Sequence, residues 1–329
     1  YILTLIYGTV NVCLWRRMTI AEFSVMFSSV VMIVSRLGKI VERYQQLSLY
    51  GQRIQDYREF LEMEEERSGR HAFDEPIRQL EVQGLSFGYD PEHMTLQDIS
   101  FTIHAGERVA IVGANGSGKS TLLQLLMRIY VPSGGRIMLD GRPAGDYDLR
   151  AYRRRVGMIE QHPLVFCTAL GNNLLPVGNR SLNRREKQRC VEMLERVGLR
   201  ERLEQTEPDI LAVRLGGAFI ADGEGLSGGE RQRLEIARVM AQKPDLILAD
   251  EPTSALDPVS EDAIWETLFD SAGQGSLLYI THRMKWAERA DRIIVLDHGR
   301  LDAIGTHAEL MQKSSVYRTL YQSQKEQYA

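Results

Sequence analysis

Three rhythms of apolar and polar positions follow one another along the chain. The first is nearly unbroken apolarity. YILTLIYGTVNVCLW opens it, and after Arg16 and Arg17 the stretch MTIAEFSVMFSSVVMIVS runs to Arg36 with Glu22 as its one charge. Crossing a bilayer takes roughly 20 apolar residues. The pattern therefore predicts two membrane segments joined by a very short loop at Arg16–Arg17. The chain starts at Tyr1 inside an apolar run, so the first segment is expected to begin upstream of it. A secretory signal would need a basic start and a small-residue cleavage site, and neither is present. A buried soluble helix is the alternative for runs of this length. Against it, Ser24, Ser28, Ser29 and Ser35 fall within one helical arc, as on a face turned to a pathway or another helix.

The second rhythm begins at Arg36. Leu37, Ile40, Val41 and Tyr44, then Ile54, Tyr57 and Leu61, keep three- and four-residue spacing with charges between them. One long helix is predicted to leave the membrane and run into water, ending near EMEEE, with SGRHAFDEPIRQ as a linker. The third rhythm starts near Leu80, where short apolar runs alternate with helical stretches. Val109–Gly113, Val156–Glu160, Leu246–Asp250, Ser276–Ile280 and Arg292–Asp297 read as buried parallel strands. That alternation predicts an α/β sheet with covered faces. Between Leu164 and Met240 the strand signal fades, so a helical insertion is expected there. The divisions are 1–66, membrane segments; 67–79, linker; 80–329, α/β domain.

Charge and cysteine content narrow the classes. The 44 acidic and 40 basic residues leave no basic field, and no nucleic-acid partner is expected. Cys13, Cys167 and Cys190 show no C-x-x-C spacing, which speaks against a disulfide framework or zinc site and for a reducing compartment.

The chemistry begins where the run VAIVG enters GANGSGKS, Gly113–Ser120, followed by apolar TLLQLLMRI. This is the full G-x-x-x-x-G-K-[ST] pattern in its strand–loop–helix setting. Gly113, Asn115, Gly116, Ser117 and Gly118 offer backbone N–H groups to phosphate oxygens, and the helix starting near Lys119 and Thr121 adds its positive end. Lys119 is expected to reach the β- and γ-phosphates and Ser120 to ligate Mg²⁺. LILADE supplies the partner: Asp250 emerges at a strand's C-terminal end, where it can hold the metal. Glu251 stands one residue on as general base for water. Together the two motifs describe an NTPase using ATP and Mg²⁺.

LSGGERQRLEIARVM, from Leu226, resembles the signature of ATP-binding cassette (ABC) proteins. The family's other landmarks follow in order over 80–329. Tyr89 in LSFGYD matches the aromatic that stacks on adenine. Gln161 matches the glutamine that joins the metal site to the helical subdomain. SALD, Ser254–Asp257, matches the loop that crosses between subunits, and His282 in YITHR the histidine that contacts the γ-phosphate, a second catalytic residue beside Glu251. The resemblance implies an α/β P-loop NTPase with RecA-like core, antiparallel β subdomain and α-helical subdomain, preceded by the last all-α membrane helices of an ABC exporter half.

It also implies a partner. In the family two nucleotide domains pack head to tail, so Ser227, Gly228, Gly229 and Glu230 would serve the ATP of the other domain, with Asp257 at the crossing. Homodimer and heterodimer both fit. The implied protein is a multi-pass exporter of the plasma (inner) membrane, in contact with lipid, its ATPase in the cytoplasm and its source bacterial. Its transported substrate would be a peptide or small amphipathic molecule. Two departures stand out: Glu230 where glutamine is commoner, and GGAFIADGEG before the signature. With DYREFLEME, that form resembles a bacterial exporter subgroup, some of whose members handle peptides. The alternatives are a soluble ABC-type ATPase and a regulatory module with a degenerate ATPase; intact Lys119, Asp250, Glu251 and His282 argue against the second.

Overall fold

The computed structural model describes residues 2–14, 18–62, 68–90, 92–178, 180–205, 207, 209–216, 225–272 and 275–327. The expectations for the Arg16–Arg17 loop, the end of EMEEE and most of GGAFIADGEG lie outside the described residues. The chain divides into two units, Tyr1–Glu66 and Arg67–Ala329.

In the first unit α1 (Ile2–Thr9) passes into a π-helical turn, Val10–Leu14, and α2 spans Ile20–Glu62. Glu22 is accounted for by the start of α2. Its carboxylate accepts the Thr19 amide at 2.8 Å while the Thr19 hydroxyl accepts the Glu22 amide at 3.3 Å, a reciprocal cap for the first turn. The 43 residues of α2 rise about 65 Å at 1.5 Å each, roughly twice a bilayer's hydrocarbon core. Among the described residues α2 is the one helix long and apolar enough to cross a membrane; Ile2–Leu14 is apolar but shorter. No residue of α2 is buried.

The second unit opens with residues that pack rather than dangle. Phe73 stacks on Tyr147 at 4.2 Å, and Ile77 is buried. Then follow β1 (Gln79–Phe87), β2 (Leu96–His104), β3 (Arg108–Gly113), α3 (Lys119–Leu126), β4 (Gly134–Leu139), β5 (Arg142–Pro143), α4 (Leu149–Arg155) and β6 (Val156–Ile159). The helical insertion comes next, as α5 (Leu170–Leu174), α6 (Arg184–Arg196), α7 (Arg200–Glu204) and α8 (Gly228–Gln242). The chain closes with β7 (Leu246–Asp250), α9 (Pro258–Ala272), β8 (Ser276–Ile280), α10 (Met284–Ala287), β9 (Arg292–Asp297), β10 (Arg300–Gly305), α11 (His307–Lys313) and α12 (Ser315–Gln327).

These strands form two sheets. One is antiparallel with order β2-β1-β4-β5; the other has order β10-β9-β3-β8-β7-β6 and is parallel except for β10. The apolar runs lack alternation because both faces of the larger sheet are covered. In β7, Leu246 and Leu248 join the core shared with α3 and the antiparallel sheet, while Ile247 and Ala249 face the core built on α6, α8 and α9. At roughly 1.5–3 kcal/mol per fully buried aliphatic side chain, both layers hold these strands firmly. Their C-terminal ends are thereby fixed as a platform.

Candidate functional site

β3 turns into α3 through a loop that only glycine could build at two points. A Cβ on Gly113 would lie 2.2 Å from the Leu296 carbonyl oxygen. Gly118 caps α3 at φ +94°, and a Cβ there would lie 2.5 Å from Leu96 Cδ2. Both side chains are absent so that the backbone can curl close around a ligand. Lys119 is 7% exposed, and its ammonium donates to the carbonyls of Gly113 and Ala114 at 3.0 and 2.9 Å. Burial pushes its pKa down, with Glu251 and Asp250 pulling the other way. Among the described residues the buried Ser117 hydroxyl has no hydrogen-bond partner, a donor left unmet in the phosphate loop.

Asp250 ends β7 and is 7% exposed. The Ser120 hydroxyl hydrogen-bonds its carboxylate, yet among the described residues the buried Oδ1 has no partner. Burial pushes this carboxyl up, opposed by Ser120, Lys119 and His282 and assisted by Glu251. An orphaned carboxylate oxygen beside a serine hydroxyl is a hard oxygen donor set, of the kind Mg²⁺ takes. The residues present fit that ion.

Glu251 follows with φ +47°, a left-handed conformation costly for a residue with a Cβ. In that conformation its carboxylate meets His282, whose Nε2 lies 2.8 Å from Oε1, and Gln161, whose Nε2 donates to Oε2 at 3.2 Å. Its carbonyl accepts from buried Gln232 of α8 at 3.1 Å. Gln232 also accepts the Ala255 amide at 2.9 Å. The signature helix is thus bolted to the loop that carries Glu251.

Tyr89 sits between β1 and β2. Its hydroxyl lies 3.1 Å from both Thr121 Oγ1 and Gln124 Oε1 on α3, and its ring meets Phe87 and Tyr130 edge-on. Tyr89 is 58% exposed, so it stands beside the phosphate loop largely open to solvent.

Lys119, Ser120, Gln161, Asp250, Glu251 and His282 therefore converge at the C-terminal ends of β3, β6, β7 and β8. Ser227–Glu230 do not join them: among the described residues, no hydrogen bond or ion pair links them to the phosphate loop. Ser227 caps α8, its hydroxyl accepting the Glu230 amide at 3.2 Å while the Glu230 carboxylate accepts the Ser227 amide at 2.8 Å. That backbone bond leads the causes holding Glu230 below the usual carboxylate range. The S-x-x-E spacing in the sequence was the available sign of this cap. Asp257 similarly caps α9, accepting the amides of Val259 and Ser260 at 3.1 Å with Pro258 at the first helical position. Sequence reasoning passed over Gln232, Thr253, Glu261 and Arg283. Glu261 gave no sign, since an acidic residue in a helix's first turn is ordinarily a solvated partner of the dipole.

Residues 96–254 match the family profile described as ABC transporter. Among curated proteins the chain is 36% identical over 242 residues to the ATP-dependent lipid A-core flippase of Alcanivorax borkumensis, covering 74% of this chain and 40% of that one. It is 38% identical over 247 residues to the mitochondrial iron-sulfur clusters transporter ATM1 of Saccharomyces cerevisiae, covering 74% and 34%. A lipid A-core flippase of Burkholderia orbicola aligns over 317 residues at 33% identity, covering 94% and 51%. The chain thus spans about a third to a half of these relatives' length. A solved bacterial Atm1-family ABC exporter with ATP bound superposes with a TM-score of 0.72 at 29% identity, over 82% of this chain and 46% of that one.

Proposed function

The nucleotide-binding unit of this chain belongs to the ABC transporter family, and from that premise we propose that the protein is the ATP-hydrolysing part of an exporter. The carrying observation is the convergence of Glu251 with His282 and Gln161 beside the Lys119–Ser120 loop. Glu251 is oriented by two donors and takes the proton of the attacking water. His282, whose Nε2 now faces that carboxylate, is the donor available to the charge that develops on the transferred phosphoryl group. Lys119 supplies the cation for the β- and γ-phosphates. Ser120, Asp250 Oδ1 and the carbonyl oxygen of Gln161 would hold Mg²⁺, which when bound neutralises phosphate charge and clamps the phosphate oxygens. The exposed Tyr89 ring would stack on adenine.

Among the described residues no hydrogen bond or ion pair ties the capped start of α8 to the phosphate loop of its own chain, which supports a head-to-tail dimer with a second nucleotide-binding domain. There the amides of Gly228 and Gly229 and the Ser227 hydroxyl proton would meet the ATP of the partner domain. Closure and opening of that pair would drive the membrane helices. The apolar 18-residue window in α2 supports a bilayer span with lipid contact, in a bacterial inner membrane with the ATPase on the cytoplasmic side. All three relatives are named as transporters or flippases, which favours export over a soluble ATPase. The cargo would be a peptide or an amphipathic molecule.

The test is phosphate release by full-length protein in detergent or vesicles. Glu251→Gln should lower turnover by roughly 10²–10⁴-fold while keeping ATP binding, and ATP should then hold the dimer closed. Mixing Gly228→Asp with Lys119→Ala chains should restore hydrolysis at the composite site. Near-normal turnover by Glu251→Gln would remove Glu251 from the role. A Gly228→Asp chain unable to bind ATP as a monomer would refute the two-chain site.

A further inference from the structure

His282 has one hydrogen-bond partner among the described residues, Glu251, and its side chain is 43% exposed. The 2.8 Å approach therefore depends on how the segments carrying the two residues are held. The segment after it is held from below. Glu261 lies in the first turn of α9 and is fully buried. A buried carboxylate is costly unless paired and hydrogen-bonded, and this one is both. Its Oε2 pairs with the guanidinium of Arg283, the residue after His282. Its Oε1 accepts the Trp286 indole N–H at 3.0 Å and the Thr253 hydroxyl at 3.3 Å. Thr253 belongs to the loop just after Glu251, and its hydroxyl is held from the other side by the Trp265 indole at 3.2 Å. The Glu261 amide donates to the carbonyl of Asp257 at 2.9 Å. One carboxyl-bearing residue therefore touches the three segments that carry Glu251, Asp257 and His282.

We propose that Glu261 is a positioning residue for the hydrolytic site, setting His282 against Glu251 through Arg283 and steadying the Glu251 loop through Thr253. The inference rests on the ATPase reading above. Its charge is what the role requires. A neutral side chain of the same shape would still accept from Trp286 but would present no anion to Arg283, and His282 would lose its anchor. Misplacing a reacting group by about an ångström costs on the order of 10²-fold in rate, and neither Glu261 nor Arg283 is itself among the residues assigned to nucleotide.

The experiment uses the full chain and reads kcat, KM for ATP, affinity for a non-hydrolysable ATP analogue, and melting temperature. Glu261→Gln should lower kcat by about 10–10²-fold while KM and analogue affinity stay within about twofold of wild type. Arg283→Gln should show the same split, and Arg283→Lys, which keeps the charge, should recover most of the turnover. The decisive variant is the double Glu261→Gln/Arg283→Gln, which leaves no unpaired charge and should therefore fold where Arg283→Gln alone, with its bare buried carboxylate, does not. Positioning predicts that it melts near wild type yet stays slow. A double variant with restored turnover would reduce Glu261 to a structural role and overturn the proposal, as would a folded Glu261→Gln chain with wild-type kcat. Wild-type protein that releases no phosphate would remove the ATPase reading itself, and this inference with it.

Discussion

Asp250→Asn separates what the site requires from what folding would prefer. The carboxylate is 7% exposed, one of its oxygens has no partner among the described residues, and burial is the leading cause that pushes its pKa up. Since the raised value already includes the opposing pull of Ser120, Lys119 and His282, the net surroundings disfavour the charge. A buried polar group left unsatisfied costs about 1–3 kcal/mol. Asn still places a polar atom there but removes the charge, so it should stabilise the nucleotide-free protein by no more than about that much, which for a unit of this size is at most roughly 9 °C in melting temperature. The sign in pH follows from the raised value. The Asp form is relatively stable below its ordinary value of 3.8 and loses that stability as pH rises through the folded value. The advantage of Asn should thus be present at neutral pH and fade in acid.

Thermal unfolding of the full chain in EDTA, across pH, gives the first half of the result. The second half adds Mg²⁺ and ATP. A ligand at a hundred times its Kd stabilises by about 2.7 kcal/mol. Wild type should gain of that order, while Asp250→Asn, lacking the anionic oxygen, should gain much less. If Asn melts below Asp in EDTA at neutral pH, the carboxylate is not strained and the argument from its orphaned oxygen fails. If Mg²⁺ and ATP stabilise both equally, Asp250 does not hold the ion.

Tyr89→Ala should weaken ATP binding by about 1–3 kcal/mol, by analogy with base–aromatic stacking, whereas Tyr89→Phe should bind like wild type because the hydroxyl only ties the ring to α3. Titration with labelled nucleotide reads both, and equal loss in the two variants would assign the effect to the hydroxyl. Glu235 offers a pH prediction away from nucleotide. It is 7% exposed, and burial, with Glu160 adding repulsion, outweighs Arg238 at 2.5 Å and pushes its carboxyl from 4.5 up to about 7. An acid raised in this way contributes stability below pH 4.5 that is lost as pH rises through 7. Glu235→Gln should therefore be more stable than wild type at pH 8, by up to about 3 kcal/mol, with the gap closing toward pH 4.5. Arg238 keeps the carbonyls of Asn173 and Leu164 as acceptors, so the variant leaves no bare cation. A lower melting temperature for Glu235→Gln at pH 8 would refute this.

The geometry of the candidate site was legible in the sequence wherever local spacing dictates it. Gly113 and Gly118 were readable because a phosphate loop needs backbone without Cβ, and the structure gives the clash each Cβ would make. The five parallel strands were readable because burial on both faces leaves continuous apolar runs, and β3, β6, β7, β8 and β9 fall on the stretches expected. Neighbour order was not. That β3 lies between β8 and β9, bringing Lys119 beside strands more than 150 residues later, follows from how crossover helices pack and from no local pattern. The S-x-x-E cap at Ser227 was written in the sequence but hidden behind its reading as an anion site. What only tertiary structure decided is burial. The first-turn Glu261 of α9 and the mid-helix Gln232 look solvated in one dimension, yet each is fully enclosed and joins loops distant in the chain. A residue's spacing fixes which way its side chain leaves the helix. Whether water or a guanidinium waits there depends on every element folded around it.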